Sequence, residues 1–168
     1  TPANTAPVNT VPGAQTVNED AALTFTGAQA ISVSDADGNL ATTRVTVAQG
    51  TLTATLTGGA TISAGANSTA TLTLAGTQTQ INAALLTLSY QGALNFNGAD
   101  TLTVLSTDAL AATASSTVAL TVTAVNDAPS FALPAGTTTL AGATWTARDS
   151  NRAWTGIESS ADGTKLAA

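Results

Sequence analysis

The chain has 168 residues, 43% of them hydrophobic, and a formal charge of −6 with only 8% of residues charged, so it can fold around a core while its wet faces are built from Thr, Ser, Asn and Gln. It has no Cys and no His, which excludes disulfides, thiolate chemistry, His-centred metal sites and a Ser-His-Asp catalytic arrangement. Its 4 Lys and Arg residues are too few to follow a phosphate backbone, which excludes nucleic acid as a partner, and no run approaches the roughly eighteen apolar residues of a membrane span.

The chain opens on Asn4-Thr5-Ala6-Pro7-Val8, which returns as Asn126-Asp127-Ala128-Pro129-Ser130. A junction peptide recurring at domain spacing marks one unit of a tandem array, and its Pro residues favour extended linker backbone. The start at Thr1 rather than Met predicts a processed product or an excised piece. Residues 1–129 therefore read as one domain and 130–168 as the start of a following β module. Charge divides the chain at the same place: seven acids and one base, Arg44, precede Ser130, whereas three acids and three bases follow it.

Between the two junctions run short alternating segments: Leu23 to Thr26, Val45 to Val47, Leu52 to Leu56, Ala70 to Leu74, Leu102 to Val104 and Val118 to Val125. Each sets Leu, Val or Phe on one face and mostly Thr on the other, the period of a strand that covers a core on one side. Turns are predicted at Ala48-Gln49-Gly50, Gly58-Gly59, Gly65-Ala66-Asn67 and Asn97-Gly98. Thr77-Gln78-Thr79-Gln80 has the form of a capping box, and Ile81, Ala84, Leu85 and Leu88 follow at helical spacing, so a short helix is predicted near 79–86. Seven or eight strands with almost no helix point to an all-β, Greek-key antiparallel sandwich, with a hairpin-like C-terminal extension.

The acids fall at strand ends. Asp35 and Asp37, in Asp35-Ala36-Asp37-Gly38-Asn39, place two carboxylates one residue apart in a Gly-containing loop, a spacing that suits a hard cation such as Ca2+ as well as a plain turn. Glu19 and Asp20 follow the first strand, Asp108 ends the strand from Thr101, and Asp127 sits in the second junction. Strands running alternately up and down would gather these acids at the two ends of a sandwich.

The motif Asp35 to Asn39, with Gly50-Thr51-Leu52, Leu102 to Asp108 and Val122 to Pro129 after it, resembles the cadherin repeat in order and spacing. Val17-Asn18-Glu19-Asp20 and Asn95 to Asp100 bring it closer to the bacterial cadherin-like repeats of large secreted adhesins. The resemblance implies an extracellular location, Ca2+ at the junctions, and neighbouring repeats or identical subunits as partners. Carried over by position, it implies an upper pole of Asp35, Asp37 and Asp108 and a lower pole of Glu19, Asn126 and Asp127. Asp100 is the one acid near the place where animal cadherins carry an acidic pair, and it competes with a turn-capping role. Thr5 stands where the second junction has Asp127, so the upper pole is one carboxylate short.

Both Trp residues, Trp145 and Trp154, lie beyond Ser130. There Gly142-Ala143-Thr144-Trp145 and Ser159 to Ala168 resemble part of a sialidase-like propeller blade, although Leu140 occupies the Asp position of that turn. Such a fragment cannot close a propeller, and it is expected to pack on the sandwich or on a sheet edge. The expectation from sequence is a non-enzymatic, calcium-rigidified structural or adhesive repeat of a bacterial surface protein. The alternatives are a filament subunit joined through the tail, or a module for cell-surface or matrix glycans. Asp35 and Asp37 as a glycosidase pair would need a cleft and unequal environments that nothing in the sequence indicates.

Overall fold

A computed structural model describes residues 3–126 and, beyond them, one short strand pair. The chain divides into two units, Thr1–Asp127 and Ala128–Ala168.

The first unit begins with β1 (Val8–Thr10), β2 (Gln15–Asn18) and β3 (Ala22–Thr24), followed by a 3-10 turn at Gly27–Gln29 and then β4 (Ser32–Ser34), β5 (Leu40–Thr46) and β6 (Gly50–Thr53). Next come β7 (Thr61–Gly65), β8 (Thr71–Ala75), the helix α1 (Gln78–Leu85), β9 (Ser89–Gly92), β10 (Gly98–Asp108) and β11 (Thr113–Thr123). Six strands form one sheet in the order β2-β11-β10-β5-β8-β7, three form a second in the order β3-β9-β6, and β1 pairs with β4. The fold is an all-β sandwich. One pairing departs from a wholly antiparallel plan: β2 runs parallel to β11, with Val17 opposite Val122. In the second unit, Glu158–Ser159 pairs antiparallel with Leu166–Ala167. The propeller-like motifs of the tail otherwise lie outside the described residues.

The alternation read in the sequence produces the core. On β10 Leu102 and Val104 are buried, as are Val118, Leu120 and Val122 on β11, while the Thr residues between them face out. The opposing layer supplies Phe25, Ile31, Leu52, Leu88 and Tyr90, all fully buried, and α1 adds Ile81, Ala84 and Leu85 to the same cluster. Full burial of one such side chain contributes about 1.5–3 kcal/mol, so this cluster drives folding. Gly50 is required where β6 meets β9, because a Cβ there would strike the Gln91 carbonyl oxygen and come within 2.6 Å of the Tyr90 ring.

α1 starts as predicted. The Thr77 side chain accepts the Gln80 N–H at 3.3 Å, and the Gln80 side chain accepts the Thr77 N–H at 2.8 Å. Two otherwise orphaned donors are thereby satisfied. The helix also anchors the acidic loop. Asn82 clamps both the N–H and the carbonyl of Val33 on β4, at 2.8 and 2.9 Å, and Gln78 Oε1 accepts the Asp35 N–H at 2.8 Å.

Candidate functional site

The loop after β4 turns sharply. The Asp35 carboxylate accepts the Asp37 N–H at 2.9 Å, the Gly38 N–H reaches the Asp35 carbonyl at 3.2 Å, and Gly38 adopts a φ of 68°, a left-handed conformation that is open to glycine. Asp35 is thereby held down and largely buried, while Asp37 projects into solvent.

Asp108 closes the turn that joins β10 to β11. Its Oδ1 accepts the N–H groups of Leu110 and Ala112 at 2.9 and 2.8 Å, and its Oδ2 accepts Asn4 Nδ2 at 2.7 Å. The Asn4 bond, helped by the two backbone donors and opposed by burial, holds the Asp108 carboxyl below its ordinary value of 3.8. The N-terminal segment is fastened a second time by the Thr5 N–H, which donates to Asp37 Oδ2 at 2.6 Å. Asp35, Asp37 and Asp108 thus surround the entering chain.

Two amides complete this pole. Asn4 Oδ1 lies 2.9 Å from one end of the Asn39 side-chain amide, and the other end lies 3.1 and 3.0 Å from the two carboxylate oxygens of Asp35. The order of contact is Asp35, Asn39, Asn4, Asp108. An amide has one donating and one accepting end, whereas an ionised carboxylate only accepts. If both amides turn their NH2 groups to the carboxylates, their two carbonyl oxygens face each other. Any other arrangement leaves an amide oxygen against a carboxylate oxygen. With both carboxylates ionised, every orientation therefore leaves at least one oxygen–oxygen contact without a proton. A positive species, either a proton or a cation, removes that conflict. An open depression of about 280 Å³ lined by Ala3, Asn4, Asp37, Asn39 and Leu110 lies at this pole. Asn4 and Asn39 complete the network although neither is acidic; the signal for them was their place in the junction peptide and in the Asp-Ala-Asp-Gly-Asn motif.

The other predicted ligands are placed differently. Glu19 sits at the opposite end of the sandwich, where its Oε1 accepts the Val125 N–H at 2.7 Å and its own N–H donates to the Thr123 carbonyl at 3.0 Å. Asn126 is exposed beside it, and Asp127 lies outside the described residues. Asp100 joins neither pole. Its carboxylate accepts the N–H groups of Ala48 and Gln49 at 3.0 and 2.9 Å and the Tyr90 hydroxyl at 3.0 Å, which corrects the reading of Asp100 as a metal ligand or a cap of the Asn97-Gly98 bend. Burial first, and then the Asp100 carboxylate, push the Tyr90 hydroxyl pKa well above its ordinary value of 10.0. Among the described residues, no group of three or more acidic side chains is arranged to hold a metal, so cation binding at the upper pole would depend on the two amides as well.

A polar network that the sequence did not suggest lies on the inner side of β10. The Ser106 hydroxyl donates to Asn9 Oδ1 at 2.6 Å and lies 3.0 Å from the Thr43 hydroxyl, and Asn9 Nδ2 reaches the carbonyls of Val104 and Ala114 at 3.1 and 3.0 Å. These bonds tie β1 across to the large sheet.

The fold and this pole define a β-sandwich domain whose chain entry is fastened by carboxylates and amides. A family model described as Protein GAMETE EXPRESSED 2 domain matches residues 25–116, more than half of the chain, and the chain belongs to that family. No curated protein and no solved structure matches. The family match overturns the resemblance to bacterial cadherin-like adhesin repeats: it points to a gamete-expressed protein. With it falls the expected function, a calcium-rigidified adhesive repeat of a bacterial surface protein, together with the filament and glycan-binding alternatives. The physical reason is that strand alternation, Gly turns and acidic loop ends are demanded by any sandwich of this kind. They do not separate one family from another. Among the described residues no helix is long and apolar enough to cross a membrane.

Proposed function

We propose that this chain is a non-enzymatic domain of a gamete-expressed protein, working outside the cell, in which a single Ca2+ at the upper pole locks the entering N-terminal segment to the end of the sandwich. The oxygen–oxygen contact within the Asp35, Asn39, Asn4 and Asp108 series carries this reading. Ca2+ takes oxygen from carboxylates and amide carbonyls alike, and this pole offers both kinds from residues 104 positions apart in sequence. With few carboxylates the site falls in the weak class, about 10⁻⁴–10⁻³ M, which suits a module bathed in extracellular calcium. A neighbouring domain joined through the junction peptide is the natural partner of the segment so held.

Thermal unfolding in Ca2+ and in chelator tests the proposal, since a ligand bound by the folded state alone must raise the midpoint with concentration. Asp35→Asn discriminates: it retains an oxygen for the Asp37 N–H and presents an NH2 to Asn39 at the other position, so every link of the series can carry a proton. The variant is expected to be more stable than the parent in chelator and to lose its response to Ca2+. A parent midpoint unmoved by Ca2+ up to about 10 mM, well above the weak-site range, would refute the reading.

A further inference from the structure

The outward face of the six-stranded sheet is almost free of charge. Its centre is Arg44 on β5, which is exposed and is the single base of the first unit. Across the sheet Arg44 stands opposite Leu105 on β10 and Thr73 on β8, and Leu105 in turn stands opposite Ser115 on β11. Along β5 it is flanked on the same face by Thr42 and Thr46. The two carboxylates of β10, Asp100 and Asp108, are buried on the inner side, and the other described acids lie in loops or turns. Arg44 has no hydrogen bond or ion pair among the described residues. Among the described residues this guanidinium therefore stands alone, although the first unit supplies carboxylates elsewhere.

The Thr-rich texture is that of the chain's wet faces in general; what sets this face apart is the exposed, unpaired Arg44 at its centre. The cores of protein interfaces are depleted in Lys, Glu and Asp and enriched in Arg, whose planar fork binds a carboxylate through two parallel hydrogen bonds and whose stem packs on apolar neighbours. Adjacent strands lie about 4.8 Å apart, so the row Ser115, Leu105, Arg44 and Thr73 spans about 14 Å of pleated surface with the guanidinium inside it and hydroxyls around it.

We infer that this face docks a protein partner through an acidic residue, with the partner's carboxylate paired to Arg44 and its surroundings seated on Leu105 and the Thr rows. Charge complementarity selects the occupant: among the described residues the face has no acid of its own, and its one charge is unpaired. The inference is independent of the cation site, which lies in loops at the upper pole.

The test uses the full chain, isotopically labelled, in calcium-free buffer, with acetylated and amidated tetraglutamate as probe, tetralysine and an oligosaccharide of uronic acids as comparisons, and NMR as readout. Expected are saturable shifts at the amides of Thr42, Arg44, Thr73 and Leu105 and at Arg44 Nε, given by tetraglutamate alone and weakened by added salt. Arg44→Gln is expected to abolish these shifts while leaving the thermal midpoint within about 2 °C, as for a surface substitution. Shifts confined to the poles, or persisting in Arg44→Gln, would overturn the inference. So would equal shifts with the uronic acid oligosaccharide, or shifts at this face that appear with rising protein concentration alone and mark a second copy as the occupant.

Discussion

Asp100 is the residue whose replacement the structure makes most costly outside the apolar core. In Asp100→Ala the N–H groups of Ala48 and Gln49 lose their acceptor, and the Tyr90 hydroxyl is left with only the more distant Gln49 carbonyl at 3.3 Å. Hydrogen bonds to a charged group contribute about 1.5–3 kcal/mol each, and solvent can recover part of that at the edge of a turn, so a loss of about 3 kcal/mol is expected. Unfolding entropy of about 2.1 cal/mol/K per residue gives about 0.27 kcal/mol/K for a unit of this size, which turns that loss into a midpoint lower by about 11 °C. Asp100→Asn keeps one accepting oxygen and should lose about half as much. Differential scanning calorimetry measures the midpoints, and amide hydrogen exchange should show Ala48 and Gln49 opening faster than their neighbours on β5. A midpoint within about 2 °C of the parent for Asp100→Ala, with exchange at Ala48 and Gln49 unchanged, would show that the carboxylate does not hold this turn.

Further outcomes follow from the same geometry. Because the folded-state pKa of Tyr90 is raised, unfolded chains lose the phenolic proton first, so stability is full below pH 10.0 and falls as the pH rises above it; Tyr90→Phe should flatten that limb in pH-dependent melts. Asp108 has a lowered pKa, so its contribution is present above 3.8 and is lost as the pH falls through the lower folded value; Asn4→Ala should move the NMR titration of Asp108 back toward 3.8. Thr77→Ala removes one half of the capping box and should cost about 1 kcal/mol, with slower-exchanging amides of α1 becoming less protected.

The strands that carry several apolar residues were legible because their burial requires the alternation that sequence displays, as in Leu102, Val104, Val118 and Leu120. The capping box was legible because both of its bonds form within four residues. Val8-Asn9-Thr10 offers one apolar side chain and is fixed by partners far along the chain, while Thr61 to Gly65, though it pairs with the next strand, carries only Ile62 and Ala64 and an irregular register, so local pattern could not find either. The parallel pairing of β2 with β11 is invisible for the same reason. At the site, the sharp turn through Asp35 and Asp37 could be suspected from spacing. Asp100 was misread because its partners at Ala48 and Gln49 lie 52 and 51 positions away, and proximity to Asn97-Gly98 suggested a nearer role. Asn4 and Asn39 show the limit most clearly: an amide is donor or acceptor according to what it faces, and only the fold decides that.

The pairing of β2 with β11 also settles how the unit carries load. The chain enters beside Asp108 at one end of the long β10–β11 hairpin and leaves beside Glu19 at the other, a separation of about 33 Å for strands of this length. Tension applied to the two ends draws β2 and β11, which point the same way, in opposite senses along their common axis. Their ladder then resists in shear, with its bonds loaded together, whereas an antiparallel pair pulled from one end would open bond by bond. Once the pull has passed β1 and reached β2, this one parallel pairing thus turns extension along the line joining the unit's ends into shear.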